Sequence, residues 1–208
     1  MSSKCYDYLA HIGEILEKVK TTQWDSIEKS AKKIAETIAA GHSVYIFGAS
    51  HAGILAQEMF YRTGGLAVVN AILPSEFMLN TRPVTQTSAM ERLEGYPTVI
   101  LNNSDVEKGD MLLLHSVSGR NTAAIEMAIK ASEMGIYTTA ITNMEYSTQV
   151  TSRHSSRKKL YEVCDVVIDN CGDYEDSSML LQGMKQKIAP TSSVVGCAIV
   201  NMLEIRTV

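Results

Sequence analysis

The segment Met111-Leu112-Leu113-Leu114-His115-Ser116-Val117-Ser118-Gly119-Arg120-Asn121 constrains this chain more than any other. After the turn dipeptide Gly109-Asp110 it begins as an unbroken apolar run, the pattern of a strand buried on both faces of a parallel sheet. Small hydroxylic residues, a glycine, an arginine and an asparagine then lead into a helical pattern from Thr122 to Met134. The order is strand, nest, helix N-terminus. The first amides of a helix lack intrahelical partners and the helix dipole concentrates positive charge there, so such a junction receives anions. Ser116, Ser118 and Asn121 can add side-chain donors, and Gly119 allows a close backbone approach. The loop reads as a phosphate cradle. The alternative is a plain turn in which Ser118 or Asn121 only caps the helix.

The chain of 208 residues, 45% hydrophobic and 20% charged, is long enough to bury a core as one α/β domain over 1–208. Its net charge of -4 comes from interspersed acids and bases, with no basic stripe of the kind nucleic-acid binding needs. Neither nucleic acid nor membrane is expected as a partner. Cys5, Cys164, Cys171 and Cys197 show no CxxC pair or metal-ligand spacing, which fits free thiols in a reducing compartment. The N-terminal segment lacks a signal-peptide apolar core and no run reaches about 18 apolar residues, so the expectation is a soluble cytoplasmic protein.

Two helices are predicted before the first strand, within residues 1–40. Leu9, Ile12, Leu16 and Val19 form one apolar stripe, suited to packing on a partner subunit or within the chain. Ile27, Ala31, Ile34 and Ile38 form the second, between a capping Asp25 and a terminating Gly41. An α/β core over 43–208 follows. Its strands are expected at 43–48, 66–73, 111–115, 136–142 and 163–168. Helices are expected from the first loop to about Arg62, from Gln86 to about Tyr96, from Thr122, and from about Pro190 onward. Val99-Ile100-Leu101 fits a helix end or a short strand.

This alternation implies a three-layer, doubly wound sandwich with a five-stranded parallel sheet in the flavodoxin-like order 2-1-3-4-5. Ligands then bind at the carboxyl ends of the first and third strands, where Gly48-Ala49-Ser50-His51 meets Ser116–Asn121. The sequence Gly48-Ala49-Ser50-His51-Ala52-Gly53 keeps only the outer glycines of a dinucleotide fingerprint. Asn70 stands where the ribose would need an acidic residue. A phosphorylated small molecule fits better than a dinucleotide.

Several motifs together resemble the sugar isomerase (SIS) domain, and in particular stand-alone proteins described as phosphoheptose isomerases. They are Phe47-Gly48, Phe60-Tyr61-Arg62-Thr63-Gly64-Gly65-Leu66, Leu93-Glu94-Gly95-Tyr96, Ser116-Val117-Ser118-Gly119-Arg120-Asn121, Arg153-His154 and Pro190-Thr191-Ser192-Ser193. The resemblance implies a sugar phosphate held by Ser116, Ser118 and Asn121. Gly48, Ser50, Gly119, Arg120, Thr191 and Ser192 complete the expected binding set. It also implies an aldose–ketose isomerase acting by enediol proton transfer, and a homodimer or homotetramer whose sites can be shared between subunits.

Such chemistry needs a base to move a proton between adjacent carbons. His51 and Glu58 lie seven residues apart, on one face if the helix is continuous, and Glu58 is the expected base. An ordinary ion pair with Arg62, four residues on, is the competing reading. Glu91 is a second candidate base. His115, inside a buried strand, reads as structural, and His154 as a solvated residue of a basic loop. One departure counts against catalysis. The resembling enzymes carry a histidine at the start of the C-terminal helix, where this chain has Thr191-Ser192-Ser193. A non-catalytic phosphosugar-binding module, and a lyase or etherase on an amino-sugar phosphate, are the alternatives. No cofactor and no metal are expected, since no ligand spacing supports one.

Overall fold

In the computed structural model, which describes residues 4–208, five parallel strands lie in the order β2-β1-β3-β4-β5. They are β1 (Val44–Gly48), β2 (Val69–Ile72), β3 (Met111–His115), β4 (Tyr137–Thr142) and β5 (Val166–Asp169). Every residue of β1 and β3 is buried, which is why these segments read as apolar runs without alternation. The helices are α1 (Lys4–Thr22), α2 (Trp24–Ala39), α3 (Ile54–Met59), α4 (Gln86–Met90), α5 (Tyr96–Asn102), α6 (Thr122–Glu133), α7 (Met144–Gln149) and α8 (Ser192–Thr207). Residues 1–3 of the expected N-terminal segment lie outside the described residues.

The strands alternate their side chains between two apolar layers. Ile46, Met111 and Leu113 pack with Ile27, Ile34, Leu55, Ile199 and Leu203, which brings α2, α3 and α8 onto one face. Phe47, Leu112 and Leu114 pack with Phe77, Leu101, Ile125 and Ala128, which brings α5 and α6 onto the other. The N-terminal helix turns its seam inward. Ile12, Ile15 and Val19 are buried in its own chain, whereas Leu9 is 63% exposed. The buried stripe thus uses Ile15, one position before the expected Leu16.

Several predicted boundaries move. The second strand is shorter than 66–73, and β5 begins at Val166 after a 3-10 turn at Leu160–Glu162. The helix expected from Gln86 to Tyr96 stops at Met90 as α4; a turn over 91–95 ending at Gly95, with φ +86, then starts α5 at Tyr96. Val99, Ile100 and Leu101 lie within α5.

The α5 N-terminus is satisfied from outside. The Glu126 carboxylate on α6, 8% exposed, accepts from Gly95 N at 2.9 Å and Thr98 N at 3.1 Å, and from the Thr98 hydroxyl. It compensates amides that no residue of α5 itself caps. Replacing Glu126 by Ala leaves these donors unpaired, and should lower unfolding stability by about 2 to 3 kcal/mol. The midpoint of urea unfolding reads this directly, with Glu126→Gln expected to fall between Ala and wild type.

Candidate functional site

The parallel register pairs Gly48 with His115, so the loops leaving β1 and β3 start level with each other at the point where strand order reverses. A cleft opens between them. It is lined by Ser50, His51, Glu91, His115, Ser116, Ser118, Asn121, Tyr146 and Asp176, with neighbouring alanines and Val117.

The β1 loop folds tightly back on its strand. A Cβ on Gly48 would stand 2.3 Å from the Ala52 carbonyl oxygen. The glycine therefore serves the packing of the loop on itself. Ser50 to Gly53 form a 3-10 turn in which Ser50 has φ +57, and this turn presents Ser50 and His51 to the cleft.

The β3 loop is oriented by its carbonyls. Ser116 O accepts from the Thr142 hydroxyl at 2.7 Å and Val117 O from Asn143 N at 2.9 Å. Gly119 O accepts from Leu160 N at 2.8 Å and Arg120 O from Arg153 N at 2.9 Å. With its oxygens turned into the protein, the loop turns amides outward. Among the described residues, no backbone acceptor takes the N–H groups of Val117, Ser118, Arg120 or Asn121. This is a nest of outward-facing amides continuous with the N-terminus of α6, the backbone geometry that suits an anion. Gly119 makes it possible. Its φ is +59, and a Cβ there would lie 2.8 Å from the Ser147 hydroxyl.

Glu91 stands beside the nest. Its backbone oxygen accepts from Ala123 N at 3.0 Å in the first turn of α6, and its carboxylate accepts from Asn121 Nδ2 at 2.5 Å. Burial pushes the Glu91 carboxyl above the usual carboxylate range. The nearby Arg153 and Arg92 guanidiniums and the Asn121 amide only partly oppose this. Arg153 also donates to Asn121 Oδ1 at 2.7 Å. The Asn121 side chain is thus held between Glu91 and Arg153, and its backbone N–H belongs to the nest.

Other expected residues take different places. Arg120 turns its guanidinium to Thr151, donating to the carbonyl at 2.9 Å and the hydroxyl at 3.2 Å, because Arg120 O and Thr151 flank the same loop crossing. Glu58 does not share the cleft with His51. The 3-10 turn advances the chain by about three residues per turn rather than 3.6, which breaks the helical phase between them. Glu58 instead pairs with Arg62 and accepts from Asn201 Nδ2 of α8 at 3.0 Å. Thr191 and Ser192 also stay outside the cleft lining. Asp176 accepts from Thr191 N at 3.1 Å, Ser192 N at 2.9 Å and the Ser192 hydroxyl at 2.6 Å, so it caps α8. His154 is bonded to Ser156 of its own loop.

Asp176, Tyr146 and His115 are the lining residues that motif reading missed. Asp176 has φ +52 and follows Glu175 at φ +58, an unusual pair of left-handed non-glycine residues. Their segment is pinned by Asn143 Nδ2 donating to Asp173 O at 3.0 Å, by His11 against Asp173 at 2.7 Å, and by Tyr174 edge-on to Tyr146. His115, 1% exposed, has its Nδ1 3.0 Å from Ala52 O, and its Nε2 has no partner among the described residues. Burial holds its pKa below the ordinary imidazole value. Among the described residues, no group of three His, Cys, Asp or Glu side chains is placed to hold a metal ion, and no helix is long and apolar enough to cross a membrane.

Residues 7–143 match the SIS domain. The chain belongs to the SIS-domain family. It is 46% identical over 202 residues to a UPF0309 protein of Oceanobacillus iheyensis, covering 97% of this chain and 82% of that one. Among solved structures, a phosphoheptose isomerase from Francisella tularensis superposes with TM-score 0.65 at 14% identity, covering 98% of this chain and 96% of that chain. The sugar isomerase domain of an RpiR transcription factor from Sphaerobacter thermophilus gives TM-score 0.56 at 16% identity, covering 97% and 88%. At these identities the two structures show a shared SIS fold.

The buried carboxyl of Glu91 has a testable signature. Burial raises its pKa in the folded protein above the ordinary carboxylate value, so the native state binds more protons than the unfolded chain between the two. The stability this group contributes is fully present below its unfolded pKa and is lost as pH rises through the folded one. Glu91→Gln should therefore gain stability relative to wild type as pH rises through and above the ordinary carboxylate range. Paired urea titrations across that range check the sign.

Proposed function

We propose that this SIS-domain chain binds a sugar phosphate in the cleft between the β1 and β3 loops and isomerises it between aldose and ketose. The observation that carries the reading is the juxtaposition of an outward-facing amide nest with a buried carboxyl of raised pKa. The phosphate sits on the amides of Val117, Ser118, Arg120 and Asn121, with the Ser116 and Ser118 hydroxyls as further donors. Glu91 is the base of this chain's own cleft. Its carboxylate takes the proton from the carbon next to the carbonyl, the electron pair passes to the carbonyl oxygen, and the enediolate regains the proton on the adjacent carbon. Asn121 and Arg153 orient the carboxylate, and His51 on the 3-10 turn faces the oxygen where charge develops.

Glu58 serves as the base instead where a second copy presents its α3 to this cleft, in the homodimer or homotetramer that the SIS resemblance implies. The exposed N-terminal part of α1 is a candidate surface for that assembly. Binding without chemistry is the second reading. The absence of a histidine at the start of α8 and the fold shared with the domain of a transcription factor both favour it.

Thermal denaturation with fructose 6-phosphate, sedoheptulose 7-phosphate and their unphosphorylated parents tests the binding half. At one hundred times Kd a ligand specific for the native state adds about 2.7 kcal/mol. Only the phosphorylated sugars should raise Tm, and Ser118→Ala should weaken that shift. Isomerase assays of Glu91→Gln and Glu58→Gln separate the bases. A loss of at least about 100-fold in kcat is expected for Glu91→Gln. A full-strength Glu91→Gln enzyme together with an inactive Glu58→Gln enzyme would move the base to the shared-site reading, and binding without turnover in wild type would leave a sensor.

A further inference from the structure

We propose that His115 Nε2 is a specificity-determining acceptor that recognises a hydroxyl group at the sugar end of the cleft. This rests on the phosphosugar reading above and adds the orientation in which the sugar lies. His115 ends β3 opposite Gly48, on the strand face shared with Met111 and Leu113. Its Nδ1 faces the Ala52 carbonyl at 3.0 Å. A carbonyl oxygen can only accept, so Nδ1 carries the hydrogen and the neutral ring is left with a bare lone pair on Nε2. That nitrogen is buried without a partner in a residue that lines the cleft.

Such an atom discriminates. A phosphate dianion offers lone pairs and is refused by a bare nitrogen, whereas a hydroxyl offers the hydrogen that the nitrogen lacks. Asp176, whose carboxylate lines the same cleft, extends the same preference. The cleft is therefore sorted, with donors along Val117 to Asn121 and acceptors at His115 and Asp176. The phosphate lies on the first set and the polyol on the second. An aliphatic residue would fill the strand position without leaving a polar atom unpaired, so the imidazole's cost points to a ligand that repays it.

The test compares His115→Asn, whose amide can still donate to Ala52 O but offers nothing at the Nε2 position, with His115→Gln, whose longer amide reaches that position. Calorimetric Kd values are measured for inorganic phosphate, fructose 6-phosphate and sedoheptulose 7-phosphate. His115→Asn should hold phosphate within about twofold of wild type and weaken the sugar phosphates roughly tenfold, with partial recovery in His115→Gln. Equal changes for phosphate and sugar phosphates, or none, would overturn the proposal. Nitrogen NMR of the wild-type ring gives an answer even if the variants fail to fold. Nε2 should be unprotonated in the free protein and shift on adding fructose 6-phosphate but not inorganic phosphate; a protonated Nε2 overturns the assignment. A wild-type protein that binds none of the three probes defeats the phosphosugar reading itself, whereas one that binds all three without depending on His115 defeats only this inference.

Discussion

The cleft depends on where the carbonyl oxygens of the β3 loop go. Thr142, Asn143, Arg153 and Leu160 each take one of them, so the opposite edge of the same peptide units faces the cleft. A peptide plane has two polar ends, and fixing one aims the other. The acceptor-seeking groups come from β4, the turn after it and the long loop before β5. The nest is therefore assembled by elements remote in sequence, although its own residues are consecutive. This also explains why Gly119 adopts a left-handed conformation. The turn has to bring its oxygen to Leu160 while clearing the Ser147 hydroxyl.

Two carboxylates flank the nest and divide its surroundings. Asp176 closes the start of α8 with three hydrogen bonds, so that helix terminus is already neutralised. Glu91 stays close to the start of α6, where Asn121 holds it and Arg153 and Arg92 offset its charge. The first carboxylate caps a helix and also lines the cleft. The second is buried, incompletely compensated and adjacent to the ligand space, a combination associated with acid–base chemistry.

The sheet was legible because its strands are buried on both faces, where a continuous apolar run leaves little choice of structure, and because βαβ handedness then orders them. The nest was legible for a related reason, since its glycine and hydroxyls interrupt that run at the strand end. Errors arose where local pattern and tertiary contact part company. The seven-residue spacing of His51 and Glu58 implied one face, but the intervening 3-10 turn shifts the phase. One helix was read across Gly95, where Glu126 from α6 starts a new one. Asp176 could not be found from motif spacing, because its partners lie 15 and 16 residues ahead. His115 reads as part of the core, which its burial supports; its unpaired ring nitrogen and its place in the cleft lining have no signal in the sequence.

The capping of α8 by Asp176 has one more consequence. The helices α6 and α8 both begin beside the cleft, but their N-termini differ: the first amides of α8 are occupied by the chain's own Asp176 carboxylate, whereas α6 starts from the outward-facing amides of the nest. A guest with one phosphate, as proposed above, would therefore meet an asymmetric receptacle and have a single head-to-tail way to lie in it. One with an anion at each end would bring its second charge against Asp176, so the same carboxylate that finishes a helix also limits how many phosphates a guest can carry.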